Sequence, residues 1–416
     1  MGELLFSKVK SYITIEQHGF FPKRSINTNL LQFCSFCIKK IEEKAQVDTV
    51  YTDLKAAFDR IDHHILLRKL SRLGASDGFV NWLHTYLTNR SLSVKIGPTE
   101  SRTFCNQSGV PQGSNLGPLL FLIFFNDVCF IIPSGCKLLY ADDLKIFLAV
   151  RCLEDCKQLQ NVINQFAEWC RLNNLTISVS KCSIISFTRR KNPILFNYKI
   201  DDAPLGRVDV VKDLGVELDS KLTFQNHYSS IISKATRNLG FIMHMAKDFR
   251  DPYCLRALYF SLVRSILDTA SVVWSPHIQI WKSRIEAVQH RFIRFALRHL
   301  PWSNTVNLPP YEDRCNLLNI DTLNKRRNAS RAVFVAKLLM GEIDAPELLS
   351  LLNLNVGSRP LRSRDFLRPA FHRTDYGKHE PVQAMCCVFN SLYHLFDFSL
   401  TLEHFKNRVL RSDMLG

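Results

Sequence analysis

"LLYADDLKIFLA", residues 138–149, sets two adjacent carboxylates, Asp142 and Asp143, inside a run that is otherwise apolar. Two short apolar segments broken by an Asp pair have the pattern of a β-hairpin with the acids at its turn. Like charges at the tip of a buried hairpin repel, and each resists desolvation. Turns are rich in Asp for hydrogen-bonding reasons alone, so the pair by itself is a weak signal. Its weight depends on what else the chain sends to the same place.

Upstream, "QVDTVYTD" (46–53) is rich in β-branched and aromatic residues and reads as a strand ending at Asp53. An Asp that ends a strand is ordinarily a cap. Between the two stretches lies "SGVPQGSNLGPLLFLIFFND" (108–127), a Gly/Pro loop that turns into an apolar helix. If the two strands are neighbours, Asp53, Asp142 and Asp143 converge on one sheet edge, and only bound cations make that tolerable. Hard oxygen ligands with open positions suit Mg²⁺ rather than zinc. Two such ions about 4 Å apart activate an attacking oxygen and stabilise a leaving one in phosphoryl transfer.

The flanking segments supply a scaffold. "DHHILLRKLSRLG" (62–74) offers Asp62 as N-cap, Leu66, Leu70 and Leu73 on one face, and Gly74 as the stop. "DGFVNWLHTYL" (77–87) repeats that grammar with Val80, Leu83 and Leu87. "SLSVKIG" (91–97) reads as a strand, and "EDCKQLQNVINQFAEWCRLN" (154–173) as a helix with Leu159, Val162, Ile163, Phe166 and Trp169 inward. "CSIISF" (182–187) and "VDVVKDLGVELD" (208–219) add one strand each. Helices alternating with strands predict an α+β fold, an antiparallel sheet covered by helices on one face and free for substrate on the other. Beyond about residue 220 the pattern turns helical: "DPYCLRALYFSLVRSI" (251–266) has Asp251 as cap and a stripe of Leu255, Tyr259, Leu262 and Ile266.

The chain has 416 residues, 46% hydrophobic, with a formal net charge of +16. Such an excess favours a polyanionic partner. Half of it lies between Lys221 and His299, where twelve Lys and Arg stand against four Asp and Glu. There "SRIEAVQHRFIRFALRHL" (283–300) puts Ile285, Val288, Phe292 and Phe295 on one side of a helix. Arg284, Arg291, Arg294 and Arg298 line the adjacent side, a stripe suited to phosphate contact. The longest apolar stretch, 119–132, falls short of the roughly 20 residues of a membrane span and carries Asn126 and Asp127. Without a secretory signal, and with thirteen cysteines lacking framework spacing, a nuclear or cytoplasmic protein with reduced thiols is expected. Residues 301–416 hold basic clusters ("KRRN", "RSR") and no recognisable chemistry.

"DLKAAFDRIDH" (53–63), "SGVPQGSNLGPLLF" (108–121) and "YADD" (140–143) resemble, in order, motifs A, B and C of the reverse transcriptase palm. "QHGFFPKRSINTNL" (17–30), "LNNLTISVSKCSIISF" (172–187) and "VKDLGVELDSKLTFQNH" (211–227) are similar to the flanks of non-LTR (LINE-type) retrotransposon polymerases of the Jockey-like group. The resemblance covers roughly residues 10 to 230, and "LDTASVVWSP" (267–276) extends it. It implies an RNA-directed DNA polymerase with truncated fingers and a palm (1–220), a helical thumb (221–300) and an α-helical C-terminal region (301–416). Its partners would be an RNA template, a DNA primer and dNTPs, with two Mg²⁺ ions and no membrane.

By the same resemblance Asp53 and Asp142 would be the principal metal ligands, with Asp143 completing the set and the carbonyl after Asp53 joining them. Phe58 would be the steric gate against a ribose 2′-OH. Gln112 and Gly113 would adjoin the incoming nucleotide and template base, Lys181 would protonate pyrophosphate, and Leu214–Asp219 would form the primer grip. The expected basic front of the fingers would lie before Met1, and Ser178 replaces the usual Asn ahead of Lys181. No endonuclease, RNase H or zinc-knuckle pattern accompanies the motifs. A catalytically inactive, transposon-derived nucleic-acid-binding fragment is the alternative; an RNA-dependent RNA polymerase shares the acids but would place a polar group near the sugar.

Overall fold

The computed structural model describes residues 2–249, 251–298, 309–355 and 365–412. The chain forms two compact units, one of residues 1–29 with 43–209 and one of residues 30–42 with 210–416. The cluster "RSR" at 362–364 and the end of the arginine-bearing segment at 299–300 lie outside the described residues.

The first unit is built on a five-stranded sheet: β1 (Gln46–Thr52), β2 (Lys137–Tyr140), β3 (Asp143–Val150), β4 (Ser183–Phe187) and β5 (Gly206–Arg207), in the order β5-β4-β1-β3-β2. All pairings are antiparallel except β5 with β4. On one face Val50, Leu144, Ile146 and Ile184 join a core with the helices His63–Arg72, Asp77–Leu87, Gly117–Phe125 and Leu153–Leu172. The helix starts follow their caps: Asp62 Oδ1 accepts from Ile65 N at 3.0 Å, and Ser76 Oγ accepts from Phe79 N at 3.4 Å.

The opposite sheet face, expected to be free, is buried: Val47, Thr49, Phe147, Ile185 and Phe187 are each at most 3% exposed. "IFLAV" (146–150) is an unbroken apolar run and "SIISF" (183–187) sets Ile184 and Ile185 side by side; a strand buried on both faces needs no polar alternation. "SLSVKIG" is likewise two exposed fragments, Arg90–Leu92 and Lys95–Ile96, each in its own two-stranded pairing. The apolar segment after Gly117 is helical only to Phe125. It then tightens into a 3₁₀ turn where the Asn126 side chain accepts from Thr14 N and donates to Tyr12 O.

In the second unit "VDVVKDLGVELD" is a hairpin rather than one strand: Val210–Asp213 pairs with Val216–Asp219. Leu214 (φ 44°) and Gly215 (φ 90°) form its two-residue turn. Helices follow at Gln225–Met245, Pro252–Tyr259, Gln279–Ala296, Leu323–Leu339, Pro381–Leu392 and Leu402–Arg411. Past Tyr259 the helix passes through a π-turn, Phe260–Arg264. One extra residue in that turn moves the buried stripe from Leu262 and Ile266 to Val263 and Leu267, both fully buried. No helix among the described residues is long and apolar enough to cross a membrane. All thirteen cysteines are free, seven of them buried.

Candidate active site

Asp53 follows β1 directly. The register of β1 with β3 pairs Thr52 with Leu144, so Asp53 lies across from the start of β3, which Asp143 opens. The hairpin turn is Ala141–Asp142, flanked by the pair Tyr140↔Asp143; the acids sit one residue later relative to the turn than a symmetric Asp-Asp tip would have them. A two-residue turn favours positive φ, and Ala141 adopts φ 57° without being glycine.

Residues 16–19 hold that turn in place. Gln17 Oε1 accepts from Ala141 N at 3.0 Å and from Gly19 N at 2.8 Å. Leu139 N donates to Glu16 O at 3.0 Å, and His18 N to Leu139 O at 2.9 Å. Gly19 comes so close that a Cβ there would lie 2.2 Å from Ala141 N. Reading the acids alone misses Gln17 and Gly19. The local signal is faint, a Gln two residues ahead of a Gly, and only the pairing reveals its use.

A second set of bonds aligns the segment after Asp53. Ser178 N donates to Asp53 O at 2.8 Å and Lys55 N to Thr176 O at 2.9 Å, while Asp53 N donates to Cys182 Sγ at 3.4 Å. The short 3₁₀ turn Val179–Lys181 then brings Lys181 Nζ to 3.5 Å from Asp53 Oδ2. The lysine side chain is 70% exposed, so this pair is a weak one energetically.

The loops after Asp53 and before Gly117 are laced together. Gly109 N donates to Ile61 O at 2.8 Å and Val110 N to Phe58 O at 3.0 Å; Ser108 Oγ donates to Asp59 O and Gln112 Nε2 to Asp59 Oδ1, both at 2.8 Å. Gly109 sits at φ 85° with its missing Cβ position 2.7 Å from Asp59 Cα, so both backbone conformation and space require glycine. Gly113 (φ 77°) borders open space. Phe58 is half-buried, stacked on Phe121 at 4.2 Å and edge-on to Phe20 at 5.9 Å.

Electrostatically the site calls for positive charge. Burial pushes the Asp142 carboxyl above its usual range; its own N–H opposes the shift and the nearby charge of Asp53 adds to it. Asp53 Oδ2 is buried without a hydrogen-bond partner. The three carboxylates are not drawn tightly together: among the described residues the ligand atoms that lie within 4.8 Å of one another belong to His277, Asp375 and His379. A buried oxygen that takes no hydrogen bond and meets only a long ion pair with Lys181, beside a carboxyl raised by burial, gives a set of oxygen donors that fits a hard divalent ion.

In the second unit Arg284, Arg291 and Arg294 are exposed on the helix Gln279–Ala296, whose Ile285, Val288 and Phe292 are buried; Phe295 is half-buried. Arg298 differs. It caps the end of the helix Gln225–Met245, donating through Nη2 to the carbonyls of Ala246, Lys247 and Phe249 at 3.2, 2.8 and 2.9 Å. It is committed to the fold more than to a partner.

Residues 5–242 match the family described as reverse transcriptase (RNA-dependent DNA polymerase). The chain is 26% identical over 304 residues to a probable RNA-directed DNA polymerase from transposon BS of Drosophila melanogaster, covering 69% of this chain and 33% of that protein. It is 31% identical over 225 residues to the RNA-directed DNA polymerase from mobile element jockey of Drosophila funebris, covering 52% of this chain and 24% of that one. The chain thus spans a quarter to a third of these relatives' length. Among solved structures, apo telomerase from Candida tropicalis aligns with a TM-score of 0.43 at 10% identity over 83% of this chain and 54% of that chain, too loose a likeness to argue from. With more than half of its residues inside the matched segment, and jockey and transposon BS among its relatives, this chain belongs to the reverse transcriptase family, in the Jockey-like group of non-LTR retrotransposons.

Proposed function

We propose that the chain is an RNA-directed DNA polymerase that extends a primer 3′-OH with dNTPs on an RNA template. The observation that carries this reading is the β1–β3 register, which sets Asp53 at the end of β1 beside the Ala141–Asp142 turn and Asp143, the first residue of β3. In it the five-stranded sheet and its helices serve as the palm, the segment ahead of β1 as part of the fingers, the helices of 221–300 as the thumb, and 301–416 as an appendage. Asp53, Asp142 and Asp143 would hold two Mg²⁺ ions, which when bound activate the attacking 3′-oxygen and stabilise the leaving pyrophosphate.

The chain's own residues then divide the remaining work. Phe58, braced on Phe121, blocks a ribose 2′-OH. Gln112, steadied by Asp59, orients the nucleotide, and the open space at Gly113 admits the templating base. Lys181, near Asp53, gives a proton to the departing pyrophosphate. Arg284, Arg291 and Arg294 follow duplex phosphates, and Leu214–Asp219 contact the primer. Primer extension on an RNA template with Mg²⁺ tests the reading: dNTP incorporation is expected, and Asp142→Asn should abolish it. A folded parent protein that binds primer–template without extending it would leave the nucleic-acid-binding alternative standing.

A further inference from the structure

In the second unit the problem of the Asp pair recurs with opposite sign. Arg327 and Arg331 stand four residues apart on the helix Leu323–Leu339 and so share a face. Arg327 is 1% exposed, and its Nε, Nη1 and Nη2 are all buried without a hydrogen-bond partner. Arg331 is half-buried; its Nη2 donates to Ser275 O at 3.2 Å, while its Nε is buried and unpartnered. Lys282, partly exposed on the helix Gln279–Ala296, lies within electrostatic reach of both guanidiniums.

The acids whose fields reach Arg327 are engaged elsewhere. Glu286 accepts from Tyr311 Oη at 2.6 Å and from the N–H groups of Leu323 and Asn324 at 2.9 and 3.2 Å. Asp268 is paired with Arg326 at 2.8 Å and Arg264 at 3.7 Å. Among the described residues, Lys282, Arg327 and Arg331 enter no ion pair. Nor can the arginines escape by losing a proton: burial and the neighbouring Arg327 lower Arg331 only to about 10. Buried charged donors left unmade destabilise a fold strongly, so such a cluster needs an acceptor.

We propose that Lys282, Arg327 and Arg331 form a binding site for a small phosphate-class oxyanion. A tetrahedral oxyanion offers several acceptors to planar guanidiniums, which match it with paired N–H bonds. Exposure falls from Lys282 and Arg331 to Arg327, which makes Arg327 the floor of the site. A phosphodiester within a polymer backbone does not reach a side chain 1% exposed, so the occupant is a small ion. The same positive field counts against a metal at the neighbouring exposed group His277–Asp375–His379, because Lys282 and Arg331 both act on His277.

The test is thermal unfolding of the full chain in phosphate-free buffer, titrated with inorganic phosphate or pyrophosphate against chloride at equal ionic strength. A saturable rise in Tm is expected. Lys282→Gln should raise the half-saturating concentration about tenfold, and Arg327→Met with Arg331→Met should remove the rise. That double variant should keep or gain stability without phosphate, since apolar residues replace unpaired buried charge. Should it fail to fold, Lys282→Gln and the broadening of the phosphate ³¹P resonance by the parent protein decide. No rise beyond the chloride control would overturn the proposal. So would an equal rise in Lys282→Gln, or stabilisation by single-stranded RNA that needs the three cations while phosphate has no effect.

Discussion

Ala141 and Asp142 show how two unfavourable residue choices persist when their surroundings compel them. Ala141 takes a left-handed conformation that costs roughly 1–2 kcal/mol, and Gln17 anchors it on the N–H side. Gly19→Ala would push a methyl group into the Ala141 backbone. We expect a loss of about 1–3 kcal/mol in denaturant unfolding and a fall in primer extension with it; unchanged extension would show the turn tolerates displacement. Asp142, half-buried and with its carboxyl raised by that burial, is held at a cost to stability, as expected of the metal ligand proposed for it. Asp142→Asn should therefore raise Tm at neutral pH while abolishing extension, and a lower Tm would contradict that account. Phe58→Ala should relax sugar selection, raising rNTP use relative to dNTP by about tenfold. Equal discrimination in parent and variant would make Phe58 a packing residue only.

At the scale of elements, the helix Gln279–Ala296 separates two kinds of arginine. Arg284, Arg291 and Arg294 are exposed, and replacing all three by Gln should shallow the salt dependence of duplex binding by about three units of slope without changing the fold. Arg298 serves three carbonyls at a helix end, so Arg298→Gln should instead cost stability, on the order of 1.5–3 kcal/mol, and leave the slope nearly intact. The reverse pattern in filter binding and thermal unfolding would exchange the two assignments. The arginines were legible as a stripe because helical period alone puts them on one side; which guanidinium meets backbone depends on the helix Gln225–Met245 ending beside it. The π-turn at Phe260–Arg264 is the same lesson in register, since a 3.6-residue period cannot foresee an inserted residue.

For the molecule as a whole, stability against acid is expected to depend on the buried pair Glu16–Lys137, 3.0 Å apart with side chains 5% and 2% exposed. Burial alone would raise the Glu16 carboxyl, but the N–H of Gly135, the hydroxyl of Thr14 and Lys137 outweigh it and hold it below 4.5. A depressed carboxyl contributes stability above its ordinary range and loses it as pH falls through the folded value. Asp142, raised instead, acts in the opposite direction. Chemical denaturation from pH 7 down to about 3 should thus show a loss that flattens in Glu16→Gln. Lys137→Met, which strands the carboxylate, should cost about 3–5 kcal/mol at pH 7.

The sequence by itself determined the local elements and the chemistry at their ends. Asp53 after a β-branched run, an Asp pair between apolar runs, Asp62 at a helix start and a Gly/Pro loop before an apolar helix each carry their own short-range physics. Tertiary structure decided what short range cannot: that β1 pairs with β3 so Asp53 lies across from Asp143, beside the Ala141–Asp142 turn, and that both sheet faces are buried. It also chose Gln17 and Gly19 as the brace of that turn and left Arg327 without an acceptor. Each of those depends on which distant backbone comes within hydrogen-bond reach, and no local period or propensity encodes that.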